Sequence, residues 1–370
     1  MRTERGERHF VARDMATRAS SSLTCSTSSC DAARGRRCVK PIVAFRCERR
    51  RDARAHAGVD VLTTTLIVDD LVFADGSTKM AVLGGGGAQT AFGASMLSAD
   101  IRVALVAGVG ENDCPDECVR WLRERNVDVS GLIRTPGART PRAWQITEAD
   151  GRRTQVWRVD ASEALYAMLR PRFSTWPEGV RKPRCVHFGV NPARPDVELV
   201  RDLRNAGVNL ISIEPFTHAT KPLSANALKE LVNLADIFSP NIFEARSFFA
   251  DGRLSAKDLV KAMCDAGANI VCLRMGEDGA IVYDAVANVG YSAPACARTV
   301  VDPTGCGNCF CGGFVAAYLE TNDVRNALAV GSAAASIMLE HVGVPMGPLD
   351  SYRDEVGRRS AALRVDSFTL

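Results

Sequence analysis

The chain has 370 residues, 46% apolar and 24% charged, with 46 Lys+Arg against 43 Asp+Glu for a net charge of +3. This composition is ordinary for a globular protein, and no apolar run approaches the roughly 20 residues that span a bilayer, which excludes a transmembrane helix. The charge is unevenly spread: residues 1–58 carry 13 Arg, one Lys and six acids, whereas the remainder carries 32 basic and 37 acidic residues. A mildly acidic body argues against a nucleic-acid groove.

Residues 1–58 read as a basic, Ser- and Arg-rich leader with no apolar core of the secretory type. That composition predicts an organellar transit peptide, chloroplast before mitochondrion, with Met15 as an alternative start. A disordered tail or an extension of the gene model is the competing reading. The 13 cysteines do not form a zinc pattern: Cys114 and Cys118 have no second ligand pair at zinc spacing, and Cys185, Cys264 and Cys272 read as small core fillers.

From Val59 onward, short β-branched runs alternate with amphipathic stretches. VDVLTTTLIVDDLVF reads as one strand ending in two acids. GGGGAQTAFGASMLSA reads as a glycine loop entering a helix, IRVALVAGVG as a buried strand, and CPDECVRWLRERNVD as a helix with Trp121 and Leu122 inward. RAWQITEADGRRTQVWRV is a predicted hairpin about Asp150-Gly151. Strand and helix then alternate through RCVHFGV, PDVELVRDLRNAG, NLISIEP, ALKELVNLA, ADIFSPN and SAKDLVKAMCDAG, with Ser255 as N-cap and Gly267 closing the helix. NIVCLRMGEDGAIVYD gives two strands, and two helices rich in small residues follow. Such alternation predicts a mostly parallel sheet covered on both faces.

Two glycine elements carry chemistry. Gly84 to Gly87 precede a helix but match neither a Walker loop nor G-x-G-x-x-G. VVDPTGCGNCFCGGF places glycines at the start of a small-residue helix, where N–H groups can be aimed at phosphate.

These two elements, Pro240-Asn241-x-x-Glu244 between them, and Gly276-Glu-Asp-Gly279 occur in the order of the PfkB, or ribokinase-like, carbohydrate kinases. IRVALVAGVGENDCPDECVRWLRERNVDVSGLIR resembles that family's strand, G-x-V-G-x-D and helix passage. The resemblance covers residues 59–347, leaves 348–370 as a C-terminal helix and tail, and implies a three-layer α/β/α sandwich with a small β lid at 143–159. It implies ATP and Mg2+ as cofactors, a sugar or nucleoside as the small-molecule acceptor, and a homodimer through the lid as an arrangement open to the family. Neither nucleic acid nor membrane is an expected partner.

Carried over residue by residue, Asp69 or Asp70 matches the aspartate that binds sugar hydroxyls, the register being open. Gly85, Gly87 and Gln89 match the substrate-side loop. Asn241 and Glu244 match the pair that organises Mg2+ through water. Gly276 and Gly279 match a nucleotide-contacting turn, although Arg274 stands where Thr is frequent. Asp302 and Thr304 lead into the anion hole of Gly305, Cys306 and Gly307. Asn308 occupies the position of the family's base Asp, and an amide cannot take up the acceptor's proton. Glu214-Pro215, where Asp-Pro-Asn is more usual, together with DPTGxGN, resembles a divergent branch that includes fungal "maintenance of killer" proteins. The resemblance therefore supports two readings: a kinase of reduced activity, or a nucleotide-binding scaffold that has lost transfer.

Overall fold

A computed structural model of the chain describes residues 58–149, 153–160 and 162–370. All of the leader except Gly58 therefore lies outside the described residues, as does the Asp150-Gly151 turn.

Residues 58–160 contribute strands to two separate sheets. Strand β1 (Val61–Thr64) is followed by β2 (Ile67–Val72), β3 (Thr78–Gly84), helix α1 (Gly86–Ser95), β4 (Val103–Gly110), α2 (Asp116–Glu124), β5 (Val127–Asp128), β6 (Leu132–Thr135), β7 (Arg142–Thr147) and β8 (Arg153–Trp157). The second half runs α3 (Glu163–Leu169), β9 (Cys185–Val190), α4 (Val197–Asn205), β10 (Leu210–Pro215), α5 (Ala225–Val232), β11 (Ile237–Phe238), α6 (Ile242–Ser247) and α7 (Ala256–Asp265). It closes with β12 (Ile270–Arg274), β13 (Ala280–Asp284), β14 (Val289–Ala293), α8 (Cys306–Thr321), α9 (Val324–Leu339), α10 (Leu349–Ala362) and β15 (Asp366–Phe368).

The larger sheet has eleven strands in the order β15-β14-β13-β12-β11-β10-β9-β1-β4-β5, with β6 also on β4. Pairing is parallel from β12 through β4, β5 and β6 and antiparallel from β12 to β15. Two apolar clusters flank it. One gathers Phe92, Leu105, Trp121, Phe310 and Phe314, and the other Leu62, Trp176, Phe188, Phe238 and Phe248. This is the covered parallel sheet that the alternating pattern requires.

Three expectations are corrected here. VDVLTTTLIVDDLVF is two strands in different sheets, broken at Thr65, whose φ is +87°. The lid is a four-stranded sheet, β3-β2-β7-β8, in which the expected hairpin supplies only two strands. The C-terminal tail adds an edge strand, with β15 pairing antiparallel to β14.

Strand β1 lies between β9 and β4. The chain leaves it toward β4 on one side and returns as β9 on the other. In open α/β sheets, a reversal of this kind opens a crevice at the carboxyl ends of the strands, where ligands bind.

Candidate active site

A cleft of about 1050 Å3 opens there, lined by Thr64 and Thr65 at the end of β1, Phe188 and Gly189 on β9, and Glu214 on β10. The lid contributes Asp69, Gln145, Gln155 and Trp157.

The strand period of two sends Asp69 and Asp70 to opposite faces of the lid sheet. Asp69 lines the cleft, and its carboxylate accepts from Gln145 Nε2 at 3.0 Å. Gly84 makes room for it: a Cβ there would fall 1.8 Å from Asp69 Oδ2. Asp70 does not line the cleft. Its buried carboxylate accepts from Arg142 Nε at 2.7 Å and Nη2 at 2.8 Å, from Ala81 N at 2.8 Å, and from Arg158. Burial alone would raise its pKa, but the Arg142, Ala81 and Arg158 donors outweigh it and hold the group down to about 2. Asp70 is thus a brace between lid strands, away from the cleft lining.

Helices α1 and α8 meet at their N-terminal ends. Gly305, the N-cap of α8, has φ +78°, and a Cβ on it would lie 2.2 Å from the Gln89 side chain. Glycine serves both needs, the left-handed backbone and the close approach. Asn308, in the first turn of α8, donates from Nδ2 to Gln89 Oε1 at 2.6 Å. Gln89, Thr304, Gly305 and Asn308 all line the cleft, as do Gly85 and Gly87 of the first loop. The first N–H groups of a helix have no partner within it and carry its partial positive charge, so this end suits an anion.

Glu244 also lines the cleft. It belongs to a capping box on α6: Asn241 Oδ1 accepts from Phe243 N and Glu244 N, while Glu244 Oε2 accepts from Asn241 N at 2.7 Å. Burial pushes its carboxyl up to about 7, against the pull of Arg274. Asn241 is therefore a capping residue behind the cleft wall. Asp302 likewise sits behind it, accepting from Thr304 N at 2.9 Å and Gly343 N at 3.0 Å to hold the loop before α8. Cys306 and Gly307 lie in the first turn of α8 without lining the cleft. Gly276 and Gly279 stand apart from the cleft in the turn after β12, where Gly279 packs against the carbonyl of Ala293.

The cleft wall also holds a buried charged group, His187, Glu214 and Arg274, that the motifs did not reveal. His187 Nε2 lies 3.4 Å from Glu214 Oε1, and its Nδ1 lies 2.9 Å from Ser212 Oγ. Cys311 Sγ is 3.6 Å from Glu214 Oε2. Arg274 Nη2 lies 2.8 Å from that same oxygen and donates to Ser239 O at 2.6 Å. Burial disfavours a charge on His187, while Cys311 and Glu214 favour it, and the balance pushes the imidazole up to about 9. Burial likewise opposes ionisation of Glu214, but Arg274 and His187 hold its carboxyl below the usual range. Glu214-Pro215 and Arg274 were visible only as departures from a pattern, and His187 carried no signal as one of five scattered histidines.

The comparisons agree with this architecture. The profile of the pfkB family carbohydrate kinases matches residues 69–348. The cytidine kinase of Thermococcus kodakarensis is 27% identical over 278 residues, covering 75% of this chain and 94% of that protein. The ribokinase of Staphylococcus aureus is 23% identical over 265 residues, covering 70% and 83%. Among solved structures, Giardia lamblia ribokinase aligns with a TM-score of 0.64 at 20% identity, covering 81% of this chain and 99% of that one. An E. coli ribokinase II candidate solved with ATP and Mg2+ covers the same shares with a TM-score of 0.65 at 19% identity. The chain belongs to the pfkB family of carbohydrate kinases and has the ribokinase-like α/β fold.

Proposed function

We propose that the protein is an ATP- and Mg2+-dependent kinase that phosphorylates a hydroxyl of a sugar or nucleoside, at a rate limited by Asn308. The observation carrying this reading is the cleft at the sheet's reversal point, which holds Asp69, Gln89, Glu244, Thr304, Gly305 and Asn308 together. Relatives named as cytidine kinase, nucleoside kinase and ribokinase support this acceptor class.

In this reading Asp69, steadied by Gln145, accepts from acceptor hydroxyls. The N-terminal end of α8 receives the transferring phosphoryl group. Magnesium needs only one or two carboxylates, keeping waters and phosphate oxygens as its other ligands. Glu244 fits that need: Oε2 is engaged by Asn241, and the buried carboxylate still borders the cleft. The ion would neutralise phosphate charge. Asn308 positions groups through Gln89 but offers no basic lone pair, so the acceptor's proton leaves without base assistance. Phosphoryl transfer rests largely on positioning and charge neutralisation, so slow turnover remains.

Asn308 also favours a second reading, a nucleotide-binding protein without useful transfer, within a divergent branch resembling the fungal proteins. Incubation of the purified protein with ATP, Mg2+ and a panel of sugars and nucleosides, with mass detection of phosphorylated product, separates the two. Product formation with any acceptor supports the kinase; nucleotide binding without product across the panel supports the second reading; absence of nucleotide binding defeats both. Residues 1–58 are proposed as an organellar leader, to be tested by mass determination of the mature N-terminus.

A further inference from the structure

Beside the N-terminal end of α8 stands a cation whose placement is electrostatically odd. Arg274, the last residue of β12, sits beside the phosphate end of the cleft and lines it with Thr304, Gly305 and Asn308. Its backbone is fixed by a bridge to Asn241 and a bond from its N–H to Pro240 O at 3.1 Å. Its side chain is only 12% exposed. Nη1 lies so close to the first turn of α8 that a Cβ on Gly307 would fall 2.1 Å from it. Nε is buried with no hydrogen-bond partner among the described residues.

A guanidinium against the positive end of a helix is repelled unless negative charge lies between them. The acidic groups at hand are Glu214, 2.8 Å from Nη2, and Glu244, 3.8 Å from it. Glu214 is shared with His187, and Glu244 is also tied to Asn241. Both carboxylates meet Nη2, which leaves Nη1 and Nε as the donors not accounted for by acid. The cluster is therefore short of negative charge on the side that faces α8, the side where a phosphoryl group belongs.

Building on the kinase reading, we propose that Arg274 is a phosphate-contacting residue that binds the terminal phosphoryl group of a nucleoside triphosphate together with the N-terminus of α8. Glu214 and His187 hold the guanidinium in that position. Arg274 thus supplies resident positive charge where the family pattern has a neutral Thr. An Arg–phosphate contact is charge-assisted and directional, so its removal is expected to weaken binding about 10- to 100-fold.

The test is calorimetric titration of the full chain with the non-hydrolysable triphosphate AMP-PNP and with ADP, both with Mg2+ and with EDTA. Arg274→Met is compared with wild type. Because that change leaves Glu214 buried without its cation, Arg274→Met/Glu214→Gln serves as a charge-balanced companion, and thermal melting confirms that each variant folds. The expected result is a loss of about 10- to 100-fold for AMP-PNP, persisting in EDTA, with less than about threefold for ADP, and partial recovery in Arg274→Lys. Equal losses for both nucleotides, or none in a folded variant, overturn the inference and leave the kinase reading intact. Failure of wild type to bind either nucleotide overturns both.

Discussion

Replacing Asn308 by Asp tests the chemistry most directly. In the wild type, Asn308 Nδ2 donates to Gln89 Oε1 at 2.6 Å. A carboxylate placed there would set two acceptors against each other, at a cost comparable to a lost bond. Rotation of the Gln89 amide by half a turn removes the conflict, because its NH2 then donates to the new carboxylate. That bond is charge-assisted and contributes about 1.5–3 kcal/mol. The N-terminus of α8 favours a negative charge in its first turn by a further 0.3–1 kcal/mol or so. Both effects keep the introduced carboxylate ionised near neutrality and ready to accept a proton. General-base assistance is worth about 10²- to 10⁴-fold in rate. The assay is initial-rate ADP release with the best acceptor found for wild type, or across the panel where wild type is silent. Asn308→Asp that folds, binds nucleotide as wild type does and gains less than about tenfold would refute the assignment of position 308 as the missing base.

Four further outcomes are expected. Gly312→Ala would place a Cβ 1.9 Å from Thr90 O, between α8 and α1, and should cost on the order of 3 kcal/mol in urea unfolding; Gly357→Ala, in α10 with nothing within 4 Å, should instead add about 0.5–1 kcal/mol. Asp70→Asn should cost about 2–3 kcal/mol, moderated because Arg142 and Arg158 are 31% and 34% exposed; since the Asp70 pKa is lowered to about 2, the wild-type contribution persists above the ordinary carboxylate range and fades as pH falls through that value in acid titration monitored by circular dichroism. His187 is raised to about 9, so its stabilisation is complete below its unfolded pKa of about 6.5 and disappears as pH rises through 9. Unfolding free energies from urea titration at about pH 6 and 9.5 should differ by up to about 3 kcal/mol more in wild type than in His187→Gln, and equal differences would show that folding does not raise the imidazole pKa.

Much of the molecule was legible from local patterns. The alternation of β-branched runs with amphipathic helices specified a covered parallel sheet, because each element must bury one face. Ser255 does cap α7, accepting from Asp258 N, and Gly267 follows with φ +115°. Those signals are local, since capping satisfies N–H groups only three residues away. The late glycine element was recognised for a similar reason: a left-handed Gly305 at a helix start leaves a mark in sequence.

What sequence could not decide depended on partners distant along the chain. Asp69 and Asp70 are chemically identical neighbours. Only the pairing of β2 with β3 and β7 turns one into the cleft and the other onto Arg142 and Arg158. The same run of β-branched residues gave no sign that Thr65 would divide it between two sheets, because both halves have the same local propensity. Arg274 read as a departure from a pattern until the fold set it between Glu214, Glu244 and Gly307, each on a different element of the chain. Sequence by itself determined the layers, the helix starts and the amide at position 308. Tertiary structure decided which acid faces the cleft and which cation stands beside the start of α8, because charges interact through space, and periodicity records only which face a residue takes.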